Sequence, residues 1–196
     1  MFLARIMRWL DLCGAAGAAE FVLRLAAHTS RLSVGERAAA AEVLGPGALA
    51  WERVRVAEGG ALPLIFRANG RRAFTAWHTV CLPAAGERVR ANLGLMVHEL
   101  AHVYQYEHLG SAYMIEALHA QHSGGGYQYG KAAGLRQARA AGRDYRVLNR
   151  EQQAQVAQDY YLLLHETPTP ERPRCLIDAG LVAYLSFIED LRAGRL

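Results

Sequence analysis

The stretch Leu93-Gly94-Leu95-Met96-Val97-His98-Glu99-Leu100-Ala101-His102-Val103-Tyr104 decides the reading of this chain. Histidines four residues apart lie on one side of a helix, separated by only about 40° at 100° per residue, so both imidazoles reach a single ion. Glu99 follows the first histidine and flanks that ion as a general base. Leu93, Met96, Val97, Leu100, Val103 and Tyr104 fall on an arc roughly opposite the histidines, which predicts a helix with a core side and a site side. The competing reading is a solvated helix that carries His and Glu at random, and the correctly placed apolar arc argues against it.

A hydrolytic zinc centre keeps three protein ligands and an open fourth position for water, so one more His, Asp or Glu must come from elsewhere. His108, six residues beyond His102, points away from the pair and is expected to be exposed, and Gly110 ends the helix. His119 and His122, just before Gly124-Gly125-Gly126, are available. Glu151 is the stronger candidate: it opens Glu151-Gln152-Gln153-Ala154-Gln155-Val156-Ala157, a helical segment that Asn149 can cap. Ala154 and Ala157 leave room for that helix to approach the first. Gln155, one turn after Glu151, lies on the same face and is the candidate to orient a histidine from behind. The ordinary role for Glu151 is a first-turn acid at the positive end of the helix dipole. Tyr127 and Tyr129, beside the glycine run, each offer a hydroxyl that can donate to a developing oxyanion, with packing as the competing role.

At this point the residues resemble a bacterial family, the metallopeptidases called vgr-related proteins, associated with type VI secretion and related contractile injection systems. The likeness rests on His98-Glu99-Leu100-Ala101-His102-Val103-Tyr104-Gln105-Tyr106, Gly110-Ser111-Ala112-Tyr113, Tyr127-Gln128-Tyr129-Gly130 and Leu148-Asn149-Arg150-Glu151-Gln152-Gln153-Ala154, and spans about 32–161. It implies one Zn2+ per chain held by His98, His102 and Glu151, with Glu99 as the base in hydrolysis of a protein or peptide substrate. It also implies a secretion-apparatus spike protein or a cognate immunity protein as partners, and delivery into a target periplasm. The chain departs from the thermolysin-like pattern, which places an Asp where Gln155 stands.

The fold class expected is α+β, mostly helical and zincin-like, with a small antiparallel or mixed sheet packed on the helix bearing the HExxH motif. With 196 residues and 52% hydrophobic composition the chain can bury one sizeable core, so 1–196 reads as a single domain. N-terminal helices occupy 1–30, and a C-terminal helix in 174–196 packs on the rest. Helices are predicted near 2–12, 18–28 and 35–44, the third opened by a Ser33/Glu36 capping box. The sheet is placed in 51–83, with 62–67 an apolar run within it and 73–82 a strand; the zincin resemblance implies that 74–82 lies along the cleft, where it can pair with an extended peptide. Helices follow over 112–121 and 131–141, with a break at 123–126 that can gate the cleft, then a stiff spacer over 167–173 and a helix over 175–191.

The net charge of +4 is dispersed, without a dense Lys/Arg tract, which argues against nucleic acid as a partner. Cys13, Cys81 and Cys175 are too few and too scattered for a disulfide framework or a thiolate metal site. Asp11 breaks the N-terminal apolar stretch, so no cleaved signal is expected, and no apolar run reaches the length of a membrane span.

Overall fold

The structure, a computed structural model, describes residues 7, 9, 11–83, 87–122 and 125–196. The expected helix over 2–12 falls mostly outside these residues, as does part of the break at 123–126. Among the described residues the chain is mostly helical around one small mixed sheet. The elements are α1 (Ala15–Leu25), β1 (His28–Ser30), α2 (Val34–Leu44), β2 (Arg55–Glu58), α3 (Leu62–Ala68), β3 (Phe74–Ala76), β4 (Thr79–Cys81), α4 (Glu87–Arg90), α5 (Leu93–Leu109), α6 (Ala112–His122), α7 (Lys131–Ala140), a 3-10 turn (Tyr145–Val147), α8 (Arg150–Leu164) and α9 (Arg174–Arg192).

The central element is α5. Asn92 starts it by accepting the Leu95 N–H at 3.0 Å, and Gly110 ends it in a backbone conformation, φ +69°, that glycine adopts without strain. Every residue from Met96 to Gln105 is buried, so the core side and the site side are both interior faces. One face packs on α2 and α8, while α6 and β3 close over the histidines. Close approach of α5 and α8 depends on small residues: Ala154 and Ala157 are completely buried, and a Cβ added at Gly94 would stand 2.9 Å from Leu162 Cδ2. α9 contributes Ile177, Phe187, Ile188 and Leu191 to the same core, and the Tyr104 hydroxyl ties it to α5 by donating to the Leu191 carbonyl at 2.7 Å.

Both helix-start expectations hold. Ser33 and Glu36 form a reciprocal capping box on α2, and Asn149 with Gln152 forms another on α8. The region before α5 differs from expectation. The run at 62–67 is a helix: Pro63 fits a first helical turn, where no N–H is required, and Leu62 and Phe66, four apart, are the buried pair while Leu64 and Ile65 face outward. The segment 73–82 is two strands joined by the Trp77-His78 turn, where Trp77 takes φ +57° despite carrying a side chain. The sheet order is β1-β2-β4-β3, with β2 and β4 parallel and the outer pairs antiparallel. β3 is therefore an edge strand beside α5. The helix expected to reach residue 28 stops at Leu25, because Ala26 turns the chain into β1 and its carbonyl receives the Ala61 N–H at 2.8 Å.

Candidate metal centre

α5 presents His98 and His102 one turn apart, and the first turn of α8 brings Glu151 to them. The Asn149 cap sets where that helix begins and so where Glu151 stands. All three side chains are buried, Glu151 to 2% exposure. Their ligand atoms lie within 4.8 Å of one another. His98 Nε2 is 3.6 Å from Glu151 Oε2, and His102 Nε2 is 3.6 Å from Glu151 Oε1. Those separations are too long for hydrogen bonds but close to the spacing of about 3.3–3.4 Å between donors sharing a tetrahedral zinc at 2.0–2.1 Å. Glu151 Oε2 is buried with no hydrogen-bond partner. A buried carboxylate oxygen left unmatched beside two imidazole nitrogens is the chemistry of a divalent cation site, and the donor set suits zinc.

The surroundings fix two of the three ligands. Gln121 Nε2 of α6 donates to Glu151 Oε1 at 2.9 Å. Gln105 Oε1 lies 2.8 Å from His102 Nδ1, while its Nε2 donates to the Arg150 carbonyl at 3.0 Å and to Gln153 Oε1 at 3.1 Å. Because the amide nitrogen already faces two acceptors, Oε1 is the atom turned to the imidazole. His102 Nδ1 therefore carries the proton and Nε2 keeps its lone pair for an ion. Burial alone would lower the pKa of His102, but the nearby Glu151 carboxylate outweighs it and raises the value to about 9. Burial likewise works to raise Glu151, and His102 and His98 together hold it well below the usual carboxylate range. Both shifts have one cause, the opposite charges of the imidazole and the carboxylate held close together in a buried place.

A cleft of about 360 Å³ opens on these residues, lined by His98, Glu99, His102 and Glu151 on one wall and by β3 and α6 on others. Glu99 Oε2 faces the Thr75 hydroxyl at 2.8 Å, and the same hydroxyl is 3.0 Å from the Glu99 carbonyl. Tyr113 stacks near His102 with ring centroids 6.1 Å apart and donates to the Thr75 carbonyl at 2.9 Å, so that edge acceptor of β3 is occupied. Tyr127 lines the cleft with its ring 5.8 Å from that of His98. Burial first, then the negative charge of Glu151, push its phenol up to about 12, so it stays a donor.

Of the sequence candidates, the structure brings together His98, Glu99, His102, Glu151 and Tyr127. Two others stand elsewhere. Gln155 Nε2 donates to Asp159 Oδ1 at 3.0 Å, and Gln105 occupies the orienting position instead. Tyr129 bonds Asp159 and, at 2.7 Å, the Tyr184 hydroxyl, a packing role between α8 and α9. His108 is exposed as expected, with Nδ1 2.9 Å from the Tyr104 carbonyl. His119 is exposed in a groove beside Arg150, and the His122 side chain lies outside the described residues. Sequence reasoning missed Gln105, Gln121, Thr75 and Tyr113. Gln105, three residues after His102, carried the only local signal, since that spacing keeps it on the histidine's face.

The fold and site thus define an α+β protein with a buried His-His-Glu group able to hold a metal ion. Residues 32–110 match the family model of the eCIS core domain, the core of extracellular contractile injection systems, which supports a contractile-injection-associated protein. The match takes in His98, Glu99 and His102 and stops short of Glu151. No curated protein and no solved structure matches the chain at a significant level. Among the described residues no helix is long and apolar enough to cross a membrane.

Proposed function

We propose that this protein is a zinc-dependent peptidase that works with a contractile injection apparatus. The observation that carries the reading is the convergence of two imidazoles on the buried Glu151 carboxylate, one oxygen of which is otherwise unmatched, beside Glu99 in a cleft. His98, His102 and Glu151 would hold a zinc ion, which when bound would supply a water of lowered pKa and a Lewis acid for the substrate carbonyl. The remaining work falls to the chain. Glu99 takes the proton of the attacking water and returns it to the leaving amine, and the Thr75 hydroxyl holds the carboxylate toward the cleft. The Tyr127 phenol, protonated at neutral pH, donates to the oxygen on which charge develops. Edge strand β3 borders the cleft where an extended peptide would lie. The family match supports a partner in the secretion apparatus; a spike protein or a cognate immunity protein as that partner, and a target periplasm as destination, are proposed from the resemblance alone.

The test is zinc content and peptide cleavage measured on wild type, Glu99→Gln and Glu151→Ala. We expect one zinc per chain in wild type and in Glu99→Gln, with turnover lost by about 10²–10⁴-fold in the latter, and weakened zinc in Glu151→Ala. Full cleavage by Glu99→Gln would remove the mechanism. Tightly held zinc with no cleavage of any peptide would favour the competing reading, a catalytically silent adaptor of the secretion system.

A further inference from the structure

The cleft has two chemically distinct walls. The metal ligands and Glu99 make one; the other is made by Ile65 of α3, Phe74 of β3, and Met114, Ala117 and Leu118 of α6. Among the described residues, Glu99 and Glu151 are the only acidic or basic residues on the lining besides the two histidines, and both have assigned work: Glu151 with the ion, Glu99 with the Thr75 hydroxyl and the proton. A charged side chain entering the apolar wall would meet only apolar side chains among its described residues and would lose its hydration. A glycine or alanine would leave that wall facing water. A side chain of four or more carbons would cover it, and burying one such group is worth roughly tenfold or more in affinity. The wall is built from three elements, and its rim residue Ile65 is 43% exposed, an outward placement that serves no core.

We propose that this wall selects the substrate: it receives a large apolar side chain, leucine, methionine or phenylalanine, from a peptide whose scissile carbonyl stands at the metal centre. The inference rests on the peptidase reading, since it takes the ion's open position as the point from which the side chain reaches the wall.

Binding of hydroxamates to the cobalt(II)-loaded protein tests it without requiring turnover, because the visible spectrum of the metal reports an added ligand. Acetohydroxamate serves as the side-chain-free probe, beside the N-acetyl hydroxamates of leucine, phenylalanine, glycine and aspartate. The expected result is dissociation constants at least about tenfold lower for the leucine and phenylalanine compounds than for those of glycine and aspartate. Ala117→Phe, which fills the wall, should remove that preference while acetohydroxamate binds as in wild type. Ile65→Asp, at an exposed rim position that tolerates charge, should do the same without disturbing the core. Equal binding of all the compounds, or a leucine preference that survives both substitutions, overturns the pocket assignment and leaves the open metal centre standing. Failure of every hydroxamate, acetohydroxamate included, overturns the open centre and the pocket with it.

Discussion

Two histidine–carboxylate clusters lie at or near the β3–β4 hairpin, and among the described residues only one is a candidate metal centre. In the first, two histidines direct Nε2 toward the same carboxylate, each at 3.6 Å, and Glu151 Oε2 is left without a partner. In the second, the single ring of His78 lies between two carboxylates, with Nδ1 3.6 Å from Glu20 Oε2 and Nε2 3.2 Å from Glu107 Oε1. The Nε2 contact is one of proximity, since the ring is not aligned for a hydrogen bond. Glu20 Oε1 is also saturated, accepting from Arg24 at 2.6 Å, the His78 N–H at 2.9 Å and the Thr79 hydroxyl at 2.8 Å. Burial and His–Glu proximity are common to both. Convergence of lone pairs on one point separates them, because an ion needs several donors facing inward while an ion pair needs only alternating charge. The His78 cluster pins the hairpin that supports β3, and through Thr75 the hairpin reaches Glu99.

The sharpest way to break this contrast is metal content. His102→Ala should abolish stoichiometric zinc measured by elemental analysis, whereas His78→Gln should keep one zinc per chain; equal losses would mean that the clusters are not distinct. Next in size is the orienting amide. Gln105→Ala should weaken zinc affinity by about 10–100-fold in a chelator competition, while Gln155→Ala should leave it unchanged, and the reverse ranking would restore Gln155 to the role the sequence suggested. The smallest effect concerns pH. Burial acts to lower the His78 pKa, but Glu107 and Glu20 outweigh it and raise the value above its ordinary 6.5. A group whose folded pKa is raised contributes stability that is fully present below the unfolded value and is lost as pH climbs through the folded one. Urea unfolding of wild type and His78→Gln should therefore show a stability difference that is largest below about pH 6.5 and shrinks above it. A difference that grows with pH would show that His78 is held neutral.

Elements that depend on neighbouring residues were legible. The α5 face, the Ser33/Glu36 box and the Asn149 cap follow from spacing within one or two turns. The 62–67 run was misread because a short apolar stretch satisfies strand and helix alike; the sheet offers it no place, and half-burial settles it as α3. The hairpin inside 73–82 was hidden because Trp77-His78 carries none of the glycine or asparagine that usually mark a tight turn. Gln105 obeys the same one-turn rule as the histidines. Preferring it to Gln155 required knowing that the Arg150 carbonyl and Gln153, on the other helix, turn its amide oxygen toward His102.

By itself, then, the sequence determined the His98-Glu99-x-x-His102 helix, its capped partner beginning at Asn149 and the mainly helical class with a small sheet, because helical periodicity and capping are local properties of the backbone. Tertiary structure alone decided that Glu151 meets the two histidines, that Gln121 and Gln105 brace them, and that Thr75 reaches Glu99 from an edge strand. Apart from the Gln105–His102 pair, whose orientation is set from α8, those contacts join residues about 24 or more positions apart, and the packing of α5 against α8, α6 and β3 places them, since no local rule carries an orientation across that distance.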